Sequence, residues 1–306
     1  MIEVRFRAQE GDSASADGGA TVLHGPALDE RGQAVLDALR PNCKMMEVTY
    51  DVEQMVLHVG GEARGADVAD ELFQGLDKGR VVLEATTLGF AELFSIIGCF
   101  VRAKVPGLEI IYVEPRSYSR VHPGGDLFAL SEPTRGYQPI PHSIVDLGAD
   151  ELEAGVFFLG FEPERLDRAL EEHQMISSKE IKLVFGIPAF QPGWELDSVV
   201  PHLPRLEQGA AMEIAYCAAN DPEAAFERLE TTRRALGHGN RMFVAPIGTK
   251  PCGIAAAIFA SVYPEQVGLL FDHPRRRAKR STGASRWHCY RIEFTYPAPN
   301  SDQRCS

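Results

Sequence analysis

The amino-acid sequence predicts an α/β protein in which a mostly parallel sheet carries helices on both faces. Three segments support this prediction, because each contains an apolar strand, a turn, a helix and a second apolar strand. They run from Val81 to Pro115, from Val156 to Pro188 and from Phe243 to Pro274. A strand–helix–strand segment of roughly 30 residues is the usual length of a βαβ crossover. Several crossovers in one chain favour a parallel sheet covered by helices.

The three segments also resemble one another in their spacing. From the turn to the proline that follows the second strand, Thr87 to Pro115 and Gly160 to Pro188 both span 28 residues, and Gly248 to Pro274 spans 26. Any βαβ protein shows similar spacing, but the shared proline favours internal duplication. We therefore predict a domain built from repeated βαβ units.

Outside these units, the sequence suggests other elements and three regions. Residues 1–77 form an α+β N-terminal segment, 78–296 form the main α/β domain, and 297–306 form a disordered tail. The elements predicted in the first region are strands and helices at residues 1–8, 26–39, 45–50, 55–59 and 66–76.

The remaining elements lie around and after the second unit. A proline-rich connector at 120–142 is irregular, a strand covers 212–216, and a helix from Pro222 to Leu236 is capped by Asp221. The alternating segment Trp287–Tyr296 is predicted to lie at the sheet edge.

Composition limits the class of protein. Apolar residues make up 44% of the chain, and 43 acidic against 31 basic residues give a net charge of −12. This balance argues against an extended nucleic-acid surface. No apolar run approaches the ~18 residues that cross a bilayer. The six cysteines form no CxxC pair, which favours a reduced, cytoplasmic protein without structural zinc.

The best candidate site lies in the third unit. Gly248, Thr249 and Lys250 form a turn between an apolar strand and a small-residue helix that begins near Pro251. A helix N-terminus attracts anions through its unpaired N–H groups. Five cations lie between Arg275 and Arg280, just after the next strand. Phosphate binding is the chemistry that this combination indicates.

Parallel sheets bind ligands beyond the carboxyl ends of their strands. Turns from different units should therefore meet on one rim, with Arg120 close by. The residues that we expect to bind a ligand there are Thr86, Thr87, Arg116, Tyr118, Gly248, Thr249, Lys250, Arg275 and Arg276. Several of them have a simpler alternative: the threonines cap a helix, Tyr118 is an ordinary surface tyrosine, and the lysine and the basic run are solvated.

Several catalytic and cofactor signatures are absent from the sequence. GxxxxGK[ST], GxGxxG, HExxH and GxSxG do not occur. We therefore predict no cofactor and no metal, and we assign no catalytic residue. Glu84 and Glu114 follow neighbouring strands and could act as a general acid/base pair, or could simply cap loops or pair with arginines.

The stretch Val244–Pro251, followed by a small-residue helix, resembles the late strand–turn–helix of CARF-type Rossmann-like domains. In that family, a similar G-T-K turn contacts the phosphates of cyclic oligonucleotides. The resemblance covers about ten residues closely and implies that role for Gly248, Thr249 and Lys250. It also matches Thr86 and Thr87 to the family's ligand-contacting first loop, and it implies a place in a prokaryotic antiviral defence system. This chain has no recognisable nuclease or winged-helix effector.

The sequence thus favours a sensor or regulatory protein for a phosphate-bearing small molecule or nucleotide, acting on a protein partner or a second copy of itself. Two other hypotheses remain open. The chain could be an enzyme that turns over a nucleotide-like ligand, or a scaffold subunit whose basic run docks an acidic partner.

Overall fold

A computed structural model describes residues 1–13, 18–76, 79–120, 128, 130–132, 136–207 and 212–298. The strands within these ranges are β1 Glu3–Gly11, β2 Thr21–His24, β3 Lys44–Asp51, β4 Val56–Val59, β5 Glu62–Gly65, β6 Val81–Glu84, β7 Gly107–Tyr118, β8 Leu152–Leu159, β9 Glu180–Gly186, β10 Met212–Cys217, β11 Arg241–Pro246, β12 Val267–Leu269 and β13 Ser281–Thr295. The α-helices are α1 Glu30–Leu39, α2 Phe90–Arg102, α3 Pro163–Glu172, α4 Trp194–Val199, α5 Leu203–Leu206, α6 Pro222–Ala235 and α7 Lys250–Val262.

Two sheets organise the molecule. The second sheet contains five parallel strands in the order β10-β9-β8-β11-β12, which is the doubly wound, Rossmann-like arrangement. The first sheet has eight strands in the order β1-β13-β7-β6-β2-β3-β4-β5. Its middle strands β7, β6, β2 and β3 are parallel, and antiparallel strands extend it on both sides.

The predicted α/β class is confirmed, including all three βαβ units. In each one the two strands are parallel neighbours: β6 with β7, β8 with β9, and β11 with β12. The hairpin of β3 and β4 and the Asp221 cap of α6 are also present; the Asp221 carboxylate accepts from Ala224 N at 3.0 Å. These elements form because their apolar runs are long and their turns carry strong local signals.

Strand β2 was not predicted, although it lies in the middle of the first sheet. It joins β3 through α1, and so adds a further parallel crossover within the N-terminal segment. Val22 and Leu23 are fully buried there. Four residues are too few for a periodic signal, which is why the strand escapes prediction. Since β2 is hydrogen-bonded to β6, the predicted division at residue 77 falls inside one sheet.

Two predictions about individual elements are wrong. The segment that begins near Trp287 is part of β13, which lies between β1 and β7 and not at the edge. Alternating polarity shows that one face of an antiparallel strand is solvated, and does not show whether the strand has two neighbours. The helix expected at 66–76 is only a short 3₁₀ helix, Ala69–Phe73. The predicted tail lies largely outside the described residues.

Helices α2 and α7 hold the two sheets together. They pack against each other: a Cβ on Gly253 would lie 3.5 Å from the Phe90 ring, and one on Gly98 would lie 3.7 Å from the Ser261 hydroxyl. One hydrophobic core contains both helices, Leu83 and Ile110 of the first sheet, and Val244 of the second. Burying each such aliphatic side chain contributes about 1.5–3 kcal/mol, so the two sheets form one folded unit.

Candidate functional site

A cavity of about 270 Å³ lies where the carboxyl ends of the parallel strands of both sheets meet. The first sheet contributes the start of α2 after β6, and Tyr112 and Tyr118 of β7. The second sheet contributes the segments after its strands, at residues 159–162, 246–250 and 271–276. Carboxyl ends of parallel strands are the usual ligand sites in this architecture. The predicted rim is therefore a cavity wall shared by the two sheets.

Lys250 is the first residue of α7 and lies in this wall. Its Nζ donates to the Leu88 carbonyl oxygen across the cavity, at 2.6 Å. Thr249 is the N-cap residue, but its side chain does not cap the helix, because Oγ1 donates to the Ala219 carbonyl at 2.7 Å. Burial, with the charges of Arg276 and Arg280, holds the pKa of Lys250 well below its ordinary value. A bound anion would relieve this conflict of charge.

Two arginines of the basic run reach the same place. Arg276 Nη1 donates to the Thr87 carbonyl oxygen at 2.5 Å. Arg280 lines the cavity, and its buried Nε has no hydrogen-bond partner within the described part of the chain. Burial and the neighbouring Arg276 and Arg31 lower the pKa of Arg280 to about 10. We call Lys250, Arg276 and Arg280 the cationic cluster.

Two other arginines of the wall are already neutralised. Arg165 forms a buried pair with Asp272 through two hydrogen bonds of 2.7 and 2.5 Å, and it also donates to the Ile247 carbonyl. Arg31 faces Asp29 at 3.7 Å and donates to the Val113 carbonyl at 2.9 Å. Both guanidinium groups are held by the fold, so they shape the cavity more than they attract a ligand.

An aromatic surface forms another part of the wall. Tyr118, Phe161 and Trp194 line the cavity and pack on Phe128 behind them. The ring centroids of Phe128 and Phe161 are 4.6 Å apart, and those of Tyr118 and Trp194 are 5.2 Å apart. These rings pack edge-to-face or tilted against one another, and they line the same cavity as the cationic cluster.

Five of the nine predicted ligand-binding residues line the cavity: Tyr118, Gly248, Thr249, Lys250 and Arg276. Gly248 is needed for close packing, since a Cβ there would lie 2.8 Å from the Leu159 carbonyl oxygen. With any other residue at position 248, the chain could not lie this close to β8.

Thr86 and Thr87 do not line the cavity. Thr86 Oγ1 accepts from Val113 N at 3.0 Å, and Thr87 Oγ1 accepts from Gly25 N at 3.0 Å. Both residues are buried, and their hydroxyls hold strands of the first sheet in place. Only the main chain of this turn faces the cations, through the Thr87 and Leu88 carbonyls.

Arg116 and Arg275 also lie outside the cavity wall. Arg116 is exposed on β7 beside Gly283, and Arg275 is exposed and pairs with Glu132 at 3.8 Å. The basic run alternates: Arg276 and Arg280 point inward, while Arg275, Arg277 and Lys279 are exposed. Arg120 pairs with Asp197 at 3.5 Å and lies over the Phe128 ring.

The two carboxylates considered as an acid/base pair are occupied elsewhere. Glu84 accepts from the backbone N–H groups of Thr86 and Thr87, at 2.7 and 2.9 Å, and from the Thr87 hydroxyl. Glu114 accepts from Asn220 Nδ2 at 3.2 Å, and its Oε1 lies 2.8 Å from His288 Nε2. Neither lines the cavity, so the described geometry offers no support for that pair.

Several wall residues were missed from the sequence. They are Arg31, Glu92, Phe161, Glu162, Arg165 and Trp194. Phe161 and Glu162 directly follow β8, so their position after a parallel strand could have indicated them. No such signal marks Arg31. It lies on α1, and the position of α1 in the fold depends on the unpredicted strand β2.

The described residues contain no cluster of His, Cys, Asp and Glu suited to a metal ion. They also include no helix that is long and apolar enough to span a membrane.

Comparisons with known proteins add little to this geometry. No family model matches the sequence, and no curated protein matches it. Among solved structures, a ketoreductase domain from the bacillaene assembly line is similar at 9% identity and a TM-score of 0.21. The alignment covers 80% of this chain and 61% of that chain. A likeness this weak carries no functional argument.

Proposed function

We propose that this protein binds a phosphate-bearing, nucleotide-like ligand in the cavity between its two sheets. The observation that carries the proposal is the cationic cluster. Lys250, Arg276 and Arg280 converge at the N-terminus of α7, and each has its pKa lowered, with burial as the largest cause. All three residues are half-buried, and no ion pair is found for them among the described residues. Unpaired charges that are partly removed from water are costly, and a phosphate group would supply an opposite charge.

The aromatic surface supports the nucleotide-like part of the proposal. Tyr118, Phe161 and Trp194 line the same cavity as the cationic cluster. Planar rings stack on aromatic side chains. A ligand with an anionic group and a planar ring would therefore match both parts of the wall.

We propose that ligand binding gives this protein a sensor or regulatory role. Residues of both sheets line the cavity, so a ligand would contact both and could change how they fit together. The pair Glu84 and Glu114, which the sequence offered for an enzyme, does not line the wall. The output and any part in antiviral defence rest on the CARF resemblance alone.

The first experiment is a thermal-shift and titration-calorimetry panel. It uses inorganic phosphate, sugar phosphates, mononucleotides, dinucleotides and cyclic oligonucleotides. A ligand at 100 times its Kd should stabilise the protein by about 2.7 kcal/mol. Lys250→Ala should lose this stabilisation. The matched control is Arg277→Ala, which removes an exposed cation of the same basic run and should bind as wild type does.

Two outcomes would contradict the proposal. A flat panel with folded wild-type protein would exclude a phosphate ligand, and equal binding by Lys250→Ala would place the site elsewhere. Product formation during incubation with a bound nucleotide would replace the sensor role with an enzymatic one.

A further inference from the structure

Glu92 faces the cationic cluster from the opposite helix. It is the third residue of α2, which begins at Phe90 after the N-cap Gly89. Glu92 Oε1 accepts from Tyr50 N at 3.1 Å. The other oxygen, Oε2, has no hydrogen-bond partner in the described part of the chain, and it lies so close to Gly89 that a Cβ there would overlap it. Glu92 therefore lines the cavity with one carboxylate oxygen that accepts no hydrogen bond from the described residues.

Glu92 is also the main counter-charge of two members of the cluster, Lys250 and Arg276. Among nearby acids, it does most to oppose the lowering of the pKa of both Lys250 and Arg276. Glu84, the next acid, lies behind the turn and accepts three hydrogen bonds from it. Glu92 is thus the carboxylate of this group that a ligand can reach.

The two helix N-termini in the cavity consequently differ in charge. Helix α7 begins with Lys250, and its third residue is Cys252, whereas the third residue of α2 is Glu92. Neither helix has a side-chain cap from its N-cap residue. An anion is favoured at α7, while at α2 the carboxylate already occupies the place that a second anion would take.

We infer that Glu92 determines ligand specificity: the cavity takes a phosphate monoester with a hydrogen-bond donor near its phosphate, and rejects a ligand that brings a second anionic group to α2. This inference rests on the proposed function. Glu92 Oε2 accepts from the N–H or O–H of the ligand, while the cationic cluster binds the phosphate. A second phosphate at α2 would meet the carboxylate at close range, and like charges repel strongly in a partly buried site.

The experiment compares inorganic phosphate with pyrophosphate by titration calorimetry on the full chain. Wild type should bind pyrophosphate no more tightly than phosphate. Glu92→Gln should raise the affinity ratio of pyrophosphate to phosphate by about tenfold, the scale of one removed like charge. The matched control is Glu47→Gln, which removes an exposed carboxylate of β3 outside the cavity wall and should leave the ratio within about twofold.

A second pair of probes tests the donor. Wild type should prefer 2-aminoethyl phosphate to ethyl phosphate, and Glu92→Gln should lose that preference. Three results would overturn the inference while phosphate binding stands. They are an unchanged pyrophosphate ratio in Glu92→Gln, an equal change in Glu47→Gln, and no preference for 2-aminoethyl phosphate. A wild type that binds pyrophosphate at least tenfold more tightly would overturn it without any variant. Absence of binding by every probe would reject the proposed function as well.

Discussion

The β6–α2 and β11–α7 units have the same architecture and opposite chemistry. Each has a buried parallel strand, a turn and a buried helix, and the two helices pack together so that both turns meet the cavity. In the first unit, Glu84, Thr86 and Thr87 bond to the fold itself. In the second, Lys250 is directed at the cavity. Two units of the same architecture can therefore provide one structural turn and one turn available to a ligand.

The largest expected effect comes from breaking the structural turn. Glu84→Ala should lower the free energy of unfolding by about 3–5 kcal/mol, because two buried N–H groups and a hydroxyl lose their acceptor. Urea denaturation followed by circular dichroism measures this. Glu84→Gln keeps one acceptor oxygen and should lose less. A loss below about 1 kcal/mol for the alanine variant would show that the carboxylate does not hold the turn.

The same substitution in the two turns should differ in cost. Gly248→Ala should destabilise the protein by about 2 kcal/mol, because its Cβ would meet the backbone oxygen of Leu159 at 2.8 Å. Gly89→Ala should cost less than about 1 kcal/mol, since the Glu92 side chain can turn away. Thermal unfolding of both variants measures the difference. Equal costs would mean that the turns are not packed differently.

A smaller effect should separate neighbours in the basic run. Arg276→Ala should weaken phosphate binding about tenfold, the scale of one charge-assisted hydrogen bond. Arg275→Ala, which removes an exposed side chain paired with Glu132, should leave the affinity within about twofold. Calorimetric titration of phosphate measures both. Equal losses would indicate a diffuse electrostatic effect of the whole run.

The smallest effect is the pH dependence of stability that Lys250 causes. Its pKa is lowered in the folded protein, so the unfolded chain binds more protons between that lowered pKa and the ordinary value of 10.5. The stability of wild type relative to Lys250→Met should therefore rise with pH across this window.

Urea denaturation from pH 7 to 10.5 measures the slope. Lys44→Met removes an exposed lysine and serves as the control for loss of a positive charge. A relative stability of wild type that falls as pH rises would contradict the lowered pKa.

Much of the fold could be predicted because its signals are local. The strands of the three βαβ units are continuous apolar runs, and proline, glycine and Asp221 mark the turns and helix starts. Strand β2 and the interior position of β13 could not be predicted. A four-residue strand has no period, and the number of a strand's neighbours depends on segments far away in the chain.

The site was predicted only in part, for a related reason. Position after a parallel strand indicated Gly248, Thr249 and Lys250, which do line the cavity. The same rule also selected Thr86 and Thr87, whose hydroxyls accept from Val113 N of β7 and from Gly25 N just after β2. Residue type and position do not show which partner a hydroxyl has, because those partners come from other parts of the chain.

The sequence by itself determined the parallel crossovers and the lysine at the start of α7, because strand, turn and helix signals act over a few residues. Only the tertiary structure decided that Arg276 and Arg280 point inward while Arg275 and Arg277 point outward. It also decided that Glu92 faces Lys250 from another helix. The direction of a side chain in a loop depends on long-range packing, and so does the choice of charged groups that face one another across a cavity. No local sequence pattern records that packing.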